Sequence, residues 1–181
     1  MAKQFPAFEA DHLRLIADQQ MFFVATAAPT GRVNVSPKGM DSLRVTGPNR
    51  VIWLNVTGSG NETAGHLKLD PRMTLMWCSF AKRPVILRAY GAAGVVHPRD
   101  REWAALYALF DPIPGARQIY VLEVDLVQSS CGYAVPFFEP AGERDTLRHW
   151  AEQRDDQALT AYWDLKNRET IDGFPTGILD S

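Results

Sequence analysis

The sequence predicts a mainly β protein, built as an antiparallel barrel with helical additions. Several short runs of β-forming residues are separated by turn signals. The few helical patterns do not alternate with these runs as they would in a parallel βαβ protein. A barrel is a common way for an antiparallel sheet of this size to protect its edges. With 181 residues, 46% of them hydrophobic, the chain can form one domain with an ordinary core.

The elements follow from local periodicity and from turn residues. Helices are expected at 7–18, in a short piece that ends the segment 57–67, at 100–110, and twice within 142–166, with a break near 155–156. Two strands are expected to flank Pro29-Thr30-Gly31 as a hairpin within 22–39, in which Pro37 ends the regular pairing. Further strands are predicted at 42–45, 51–56, 73–80, 84–90, 92–96 and 117–127.

One strand of the predicted hairpin carries polar side chains on a single face. Alternation places Arg32, Asn34 and Ser36 on one side, and Lys38 is expected to continue that side. Two cations with an amide and a hydroxyl suit a bound phosphate. The alternative interpretation is an amphipathic strand whose polar face lies in water.

The glycine-rich segment 57–67 is expected to pass from a strand into a short helix. The free N–H groups at the start of such a helix suit an anion, which makes Ser59, Asn61 and Thr63 candidate ligand contacts. A local alternative is a capping box, in which Ser59 bonds the backbone at Glu62 and Glu62 reaches back. The segment lacks the third glycine of a dinucleotide fingerprint and the lysine of a P-loop.

Composition argues against several classes of function. A net charge of −2 and a pI of about 6.1 give no basic footprint for nucleic acid. No apolar run approaches the roughly 20 residues that span a bilayer, and the first residues lack a signal-peptide hydrophobic region, so we expect a cytoplasmic protein without membrane contact. Cys78 and Cys131 lack CxxC spacing, so one disulfide between them is conceivable but reduced thiols are the simpler expectation. The four histidines are scattered, which predicts no metal site.

Three motifs, taken in order, resemble the pyridoxamine 5'-phosphate oxidase-like, FMN-binding split-barrel family. They are Phe23-Val-Ala-Thr followed by Gly31-Arg-Val-Asn-Val-Ser-Pro-Lys-Gly39, Trp53-Leu-Asn-Val-Thr-Gly-Ser-Gly-Asn-Glu-Thr63, and Asp70-Pro-Arg-Met-Thr-Leu-Met76. The resemblance covers about residues 7–128. The stretch 130–136 is similar to a bacterial branch of that family rather than to its vitamin B6 enzymes.

The resemblance implies a particular architecture and assembly. We expect a six-stranded antiparallel split β-barrel of the FMN-binding type, formed by a single domain over residues 1–181 with a helical C-terminal extension at about 137–181. The family also implies a homodimer with FMN in a cleft between the subunits.

The resemblance also implies roles for individual residues. Arg32 and Lys38 match basic residues near the flavin phosphate or ring, and Asn55 matches a strand end that touches the ring system. The segment 61–63 stands where the vitamin B6 oxidases carry Ser-Arg-Lys for the phosphate. Glu62 therefore replaces a phosphate-binding cation in this chain.

The function that the resemblance implies is an FMN-dependent oxidoreductase acting on a small molecule or a nicotinamide donor. Arg117 and Tyr133 are further candidates for the site, and no side chain is singled out as a general acid or base. Oxidation of pyridoxamine phosphate itself is not expected, because the family's C-terminal Arg-x-His element is missing from this chain. The alternative is a non-catalytic binding protein for flavin or another cofactor, such as F420 or haem, with His66 and His97 as candidate haem ligands.

Overall fold

The fold is mainly β, with helices at its periphery. A computed structural model describes residues 2–180. Within them lie eight strands, rather than the six implied by the family resemblance: β1 (Lys3–Phe5), β2 (Phe22–Thr26), β3 (Asn34–Lys38), β4 (Leu43–Gly47), β5 (Arg50–Val56), β6 (Arg72–Cys78), β7 (Val85–Val96) and β8 (Ala116–Cys131). The helices are α1 (Ala10–Ala17), α2 (Glu62–Leu67), α3 (Trp103–Tyr107), α4 (Thr146–Glu152) and α5 (Asp156–Lys166).

All the strands pair in one antiparallel sheet. The order is β3-β2-β6-β7-β8-β5-β4, and β1 pairs with β8 off this path. Strand β8 pairs along one edge with β7 and along the other with both β5 and β1. This arrangement confirms the predicted class, a β-dominant fold of the split-barrel kind.

Two apolar clusters lie on opposite faces of the sheet. The larger cluster is inside the barrel and is built around fully buried Trp53, Trp77 and Tyr120. The smaller cluster packs the other face of β5 and β8 against α3, with Ile52 and Phe110 among its members. Each fully buried side chain of this kind contributes about 1.5–3 kcal/mol through removal from water.

The predicted hairpin is present, but its second strand continues further than expected. Strands β2 and β3 pair from Thr26 opposite Asn34 to Phe22 opposite Lys38. Pro37 lies inside β3, opposite Phe23, so the prediction that it ends the pairing is wrong. Proline is tolerated there because β3 stands at one end of the sheet and needs hydrogen bonds along only one edge.

Several other sequence predictions are corrected by longer-range structure. The strands predicted at 84–90 and 92–96 form the single strand β7, which continues across an irregularity between Tyr90 and Gly91. Strand β8 extends to Cys131, and the short strand β1 had no sequence signal. The capping box is absent, because Asn61 is the N-cap residue and makes no side-chain cap. Glu62 instead accepts the backbone N–H of Ile171, at 3.1 and 3.2 Å from its two oxygens.

The C-terminal region contains the two predicted helices, broken at Asp155. After α5 the chain runs back over the barrel, and we call residues 167–180 the C-terminal strap. Asn167 and Thr176 of the strap are fully buried. The Thr176 hydroxyl donates to the carbonyl of Asn167 at 2.5 Å. Among residues 2–180, no helix is both long and apolar enough to cross a bilayer.

Candidate functional site

A large cleft lies between one end of the barrel and the C-terminal region. Its volume is about 1210 Å³, ample for a cofactor-sized ligand. The walls come from the end of α1, the end of β3, the segment between β5 and α2, the turn between β6 and β7, and residues 138–150. Leu15, Phe80 and Trp150 give it apolar surface, while Ser59 and Lys38 bring polar groups.

Lys38 is the last residue of β3 and enters the cleft from the barrel side. Its Nζ lies 5.3 Å from the ring centroid of Trp53, a cation–π contact. No ion pair joins Lys38 to a carboxylate within residues 2–180. Burial first, and the nearby Arg117 charge second, lower the pKa of Lys38 to about 8. The cleft therefore contains a cation held in a poorly solvated place without a counter-ion.

A buried polar layer lies behind Lys38, at the same end of the barrel. Asn55 on β5 faces Gln118 on β8, and their amide groups are 3.2 Å apart. The hydroxyl of Tyr120 contacts Gln118 Oε1 at 3.2 Å and Asn61 Oδ1 at 3.4 Å. Tyr120 also stacks on Trp53, with ring centroids 4.4 Å apart. The layer thus connects the start of α2 to the aromatic ring beneath Lys38.

Arg117 anchors this layer to the C-terminal strap. Its Nη1 donates to Asn167 Oδ1 at 2.6 Å and its Nη2 donates to the carbonyl of Gly60 at 2.7 Å. With its oxygen turned towards the guanidinium, Asn55 accepts from Nη2 at 3.2 Å and from Nε at 3.1 Å. Burial lowers the pKa of Arg117 to about 10, which leaves it charged at neutral pH. Its partners are neutral oxygens, so a second uncompensated positive charge lies near Lys38.

The predicted Arg32 end of the polar face lies elsewhere, under the C-terminal strap. The Arg32 side chain is exposed and forms an ion pair with Asp172, whose Oδ2 also accepts the Arg32 backbone N–H at 2.6 Å. Asn34 Nδ2 donates to Thr63 Oγ1 at 3.4 Å. Two of the donors that the sequence assigned to a phosphate, Arg32 and Asn34, therefore have partners within the chain.

The structure separates the predicted site residues into two groups. Lys38 and Ser59 line the cleft, and buried Asn55 and Asn61 belong to the polar layer behind it. The second group, Arg32, Asn34 and Thr63, lies near the strap, which contacts Arg32 through Asp172. Half-buried Ser36 lies between the two groups on β3.

The other candidates lie outside the cleft lining. Tyr133 is 84% exposed. His66 is buried, with Nδ1 at 3.1 Å from Thr26 Oγ1. His97 is also buried, and this burial lowers its pKa to about 4. Neither histidine lines the cleft, so the geometry does not favour either one as an axial haem ligand there.

Sequence reasoning missed several residues that shape the site. Adjacent polar Arg117 and Gln118, directly before the mainly apolar run 119–122 of β8, were a signal that could have indicated an internal polar contact. Trp53 appeared only as an apolar strand residue. No local signal indicates Asn167 or Asp172, because their partners lie 50 and 140 residues away along the chain.

Comparison with known proteins decides the family. The family model described as pyridoxamine 5'-phosphate oxidase matches residues 8–131. The chain belongs to the pyridoxamine 5'-phosphate oxidase family. The matched region runs from α1 to the end of β8, so it contains both Lys38 and Arg32 and excludes the C-terminal strap.

Relatives of the family extend this comparison. A pyridoxamine 5'-phosphate oxidase family protein of Aspergillus flavus, ustO, is 37% identical over 143 residues, which are 76% of this chain and 57% of that protein. The chain thus spans little more than half the length of this curated relative.

Solved structures of the same fold include HupZ of Group A Streptococcus, with a TM-score of 0.54 and 18% identity over 66% of this chain and 91% of that one. A second is a Clostridium acetobutylicum protein related to general stress protein 26, of the pyridoxinephosphate oxidase family. It has a TM-score of 0.53 and 14% identity over 67% of this chain and 86% of that one. At these identities the similarity concerns the fold.

Proposed function

We propose that this member of the family is a flavin-binding oxidoreductase, with FMN as its cofactor and the flavin ring held in the cleft beside Lys38. The observation that carries the proposal is the ammonium group of Lys38, which lies at the cleft wall without a carboxylate partner in the described chain. A poorly solvated cation favours a ligand that carries or develops negative charge.

The cleft lining fits a flat ring with polar edges. Phe80 and Trp150 offer apolar surface, Ser59 offers a hydroxyl, and the volume of about 1210 Å³ exceeds what the ring needs. A bound flavin would supply the electron or hydride transfer that these side chains cannot perform. Lys38, protonated at neutral pH, would stabilise negative charge on the ring, and the cleft walls would limit its contact with water.

The predicted phosphate face fits less well. Arg32 is already bonded to Asp172, and the Glu62 carboxylate lies where the segment 61–63 was expected to hold a phosphate. Arg83 and Arg144 also line the cleft, but so do Asp18, Glu139 and Glu143, so the lining carries charges of both signs. We therefore propose that the ring, rather than the phosphate, provides the main contact.

A homodimer belongs to the same proposal. The outward face of the sheet carries half-exposed apolar side chains from adjacent strands, and Val35 on β3 is 61% exposed. The half-exposed members are Phe23, Met76, Ile86, Tyr90 and Leu126. Apolar side chains on several neighbouring strands favour an interaction site, although Arg88, which pairs with Met76, lies among them. A second copy related by a two-fold axis would cover it with the same face and would bring a second chain beside β3.

The test is the visible absorption spectrum of the full chain after incubation with FMN and desalting. Retained flavin bands, followed by nicotinamide oxidation with the loaded protein, would support a flavin oxidoreductase. Lys38→Met should reduce retention, whereas Lys82→Met in the exposed turn between β6 and β7 should not. Loss of all flavin from the unmodified protein would contradict the proposal. Retention without any electron transfer would favour the binding-protein alternative.

A further inference from the structure

The C-terminal strap folds back onto the hairpin turn and the start of α2. Asp172 contacts Arg32, the Ile171 backbone N–H donates to Glu62, and Phe174 lies edge-on to His66 with ring centroids 6.4 Å apart. A bridge between Glu169 and Pro175 closes this part of the strap into a compact loop. These contacts lie on the part of the molecule where the sequence predicted a phosphate.

Two glycines make the close approach of the strap possible. Gly31 has φ +85°, and a Cβ there would stand 2.6 Å from Asp172 Oδ2. A Cβ on Gly65 in α2 would collide with Thr170 Cγ2. A side chain at either position would displace the strap. The hairpin and α2 are therefore shaped to receive it.

Asp172 uses two of the donors that Arg32 could offer to an external anion. Its carboxylate accepts from both the guanidinium and the backbone N–H of Arg32, and these bonds lower its pKa. The Asp172 side chain is 10% exposed, whereas that of Arg32 is 70% exposed. The carboxylate is thus ionised at neutral pH and lies between the arginine and the strap. A phosphate approaching Arg32 would meet Asp172 and Glu62 at short range, and like charges repel.

We infer that Asp172 is a specificity-determining residue, whose carboxylate fills the anion site of Arg32 so that the protein does not distinguish FMN from riboflavin. The inference rests on the proposed flavin function and deepens it by naming the ligand class, which is flavins with or without a terminal phosphate. The cleft beside Lys38 provides the binding contacts that both ligands share.

The first measurement compares the affinities of the full chain for FMN and riboflavin by fluorescence quenching, in the unmodified protein and in Asp172→Asn. The two dissociation constants of the unmodified protein should agree within about twofold. In Asp172→Asn the two dissociation constants should differ by about tenfold or more in favour of FMN. The reason is that Arg32 can then donate one charge-assisted hydrogen bond to the FMN phosphate. Riboflavin affinity should not change.

A matched control is Asp180→Asn. Asp180 belongs to the same strap and pairs with Lys68 at 3.1 Å, away from Arg32. This variant should retain the equal affinities of the unmodified protein. A tenfold preference for FMN in the unmodified protein, or equal affinities in folded Asp172→Asn, would overturn the inference.

A second measurement requires neither flavin nor a substitution. The backbone amide signal of Arg32, followed by nuclear magnetic resonance, should not shift when inorganic phosphate is added to the unmodified protein. A saturable shift would overturn the inference, whatever the outcome for flavin. If neither flavin binds while the Arg32 signal remains unmoved, the flavin function fails and the occupation of Arg32 by Asp172 stands.

Discussion

Replacing Lys38 by methionine is expected to stabilise the folded protein at neutral pH. In the folded chain, burial and then the Arg117 charge lower the pKa of Lys38 from 10.5 to about 8. The unfolded chain keeps the ordinary value, so between these two pH values it binds more protons than the folded chain. The contribution of Lys38 to stability therefore rises with pH across this interval. At pH 7 the lysine is protonated in both states, and its lowered pKa in the folded state reduces the free energy of unfolding by about 3 kcal/mol. This figure is the fall in pKa from 10.5 to about 8 multiplied by about 1.36 kcal/mol per unit.

The net gain is smaller than this cost, because methionine loses the cation–π attraction to Trp53 of about 0.5–2 kcal/mol. We expect Lys38→Met to raise the free energy of unfolding by about 1–2.5 kcal/mol at pH 7. The gain should shrink towards zero as the pH approaches about 10.5.

Urea unfolding of both proteins at pH 7 and at pH 10 measures this difference. Lys82→Met, at an exposed position between β6 and β7, is the matched control and should change stability by less than about 0.5 kcal/mol. If Lys38→Met is less stable than the unmodified protein at pH 7, or if its advantage does not shrink at high pH, the explanation of Lys38 as a strained cation is wrong.

Three further outcomes follow from the same contacts. Flavin affinity should fall as the pH rises through about 8, by up to about tenfold per pH unit, because Lys38 loses its proton, and this pH dependence should be absent in Lys38→Met. Val35→Glu should convert a dimer to a monomer in light scattering, whereas Leu165→Glu, at an even more exposed position on α5, should not. Arg117→Met should make the strap sensitive to protease, because charged hydrogen bonds to Asn167 and Gly60 are lost, while relief of the burial that lowers the Arg117 pKa offsets part of the loss in global stability. Arg168→Met, which removes an exposed ion pair, should cost less than about 1 kcal/mol.

The parts of the fold that could be predicted from sequence are those whose signal lies within one short stretch. Pro29-Thr30-Gly31 between two β runs indicated the β2–β3 hairpin, and the apolar run 51–56 indicated a central strand. The same local reasoning failed where pairing partners decide the outcome. Strand β7 continues past Gly91 because β8 pairs with it along almost its whole length, although glycine alone suggests an interruption.

The candidate site was predicted only in part, for a related reason. Alternation correctly placed Asn34, Ser36 and Lys38 on one face of β3, since all three are half-buried and Val35 is exposed. It could not show that a carboxylate 140 residues further along the chain pairs with Arg32. Periodicity predicts which face of a strand a side chain occupies. Whether a basic side chain at that place is already paired with a carboxylate depends on every segment that packs against it.

Arg32 and Lys38 show that two residues with the same predicted role can have different charge environments in the folded protein. Both are basic residues of one short hairpin, and the strand pattern predicted that both would contact a phosphate. In the folded protein, Arg32 is exposed to solvent yet already neutralised by Asp172, while Lys38 is poorly solvated and has no carboxylate partner within residues 2–180. A folded chain could lower its free energy by placing a carboxylate beside Lys38, as it does beside Arg32. If flavin binds as proposed, its negative charge is therefore expected to lie beside Lys38 and not beside Arg32.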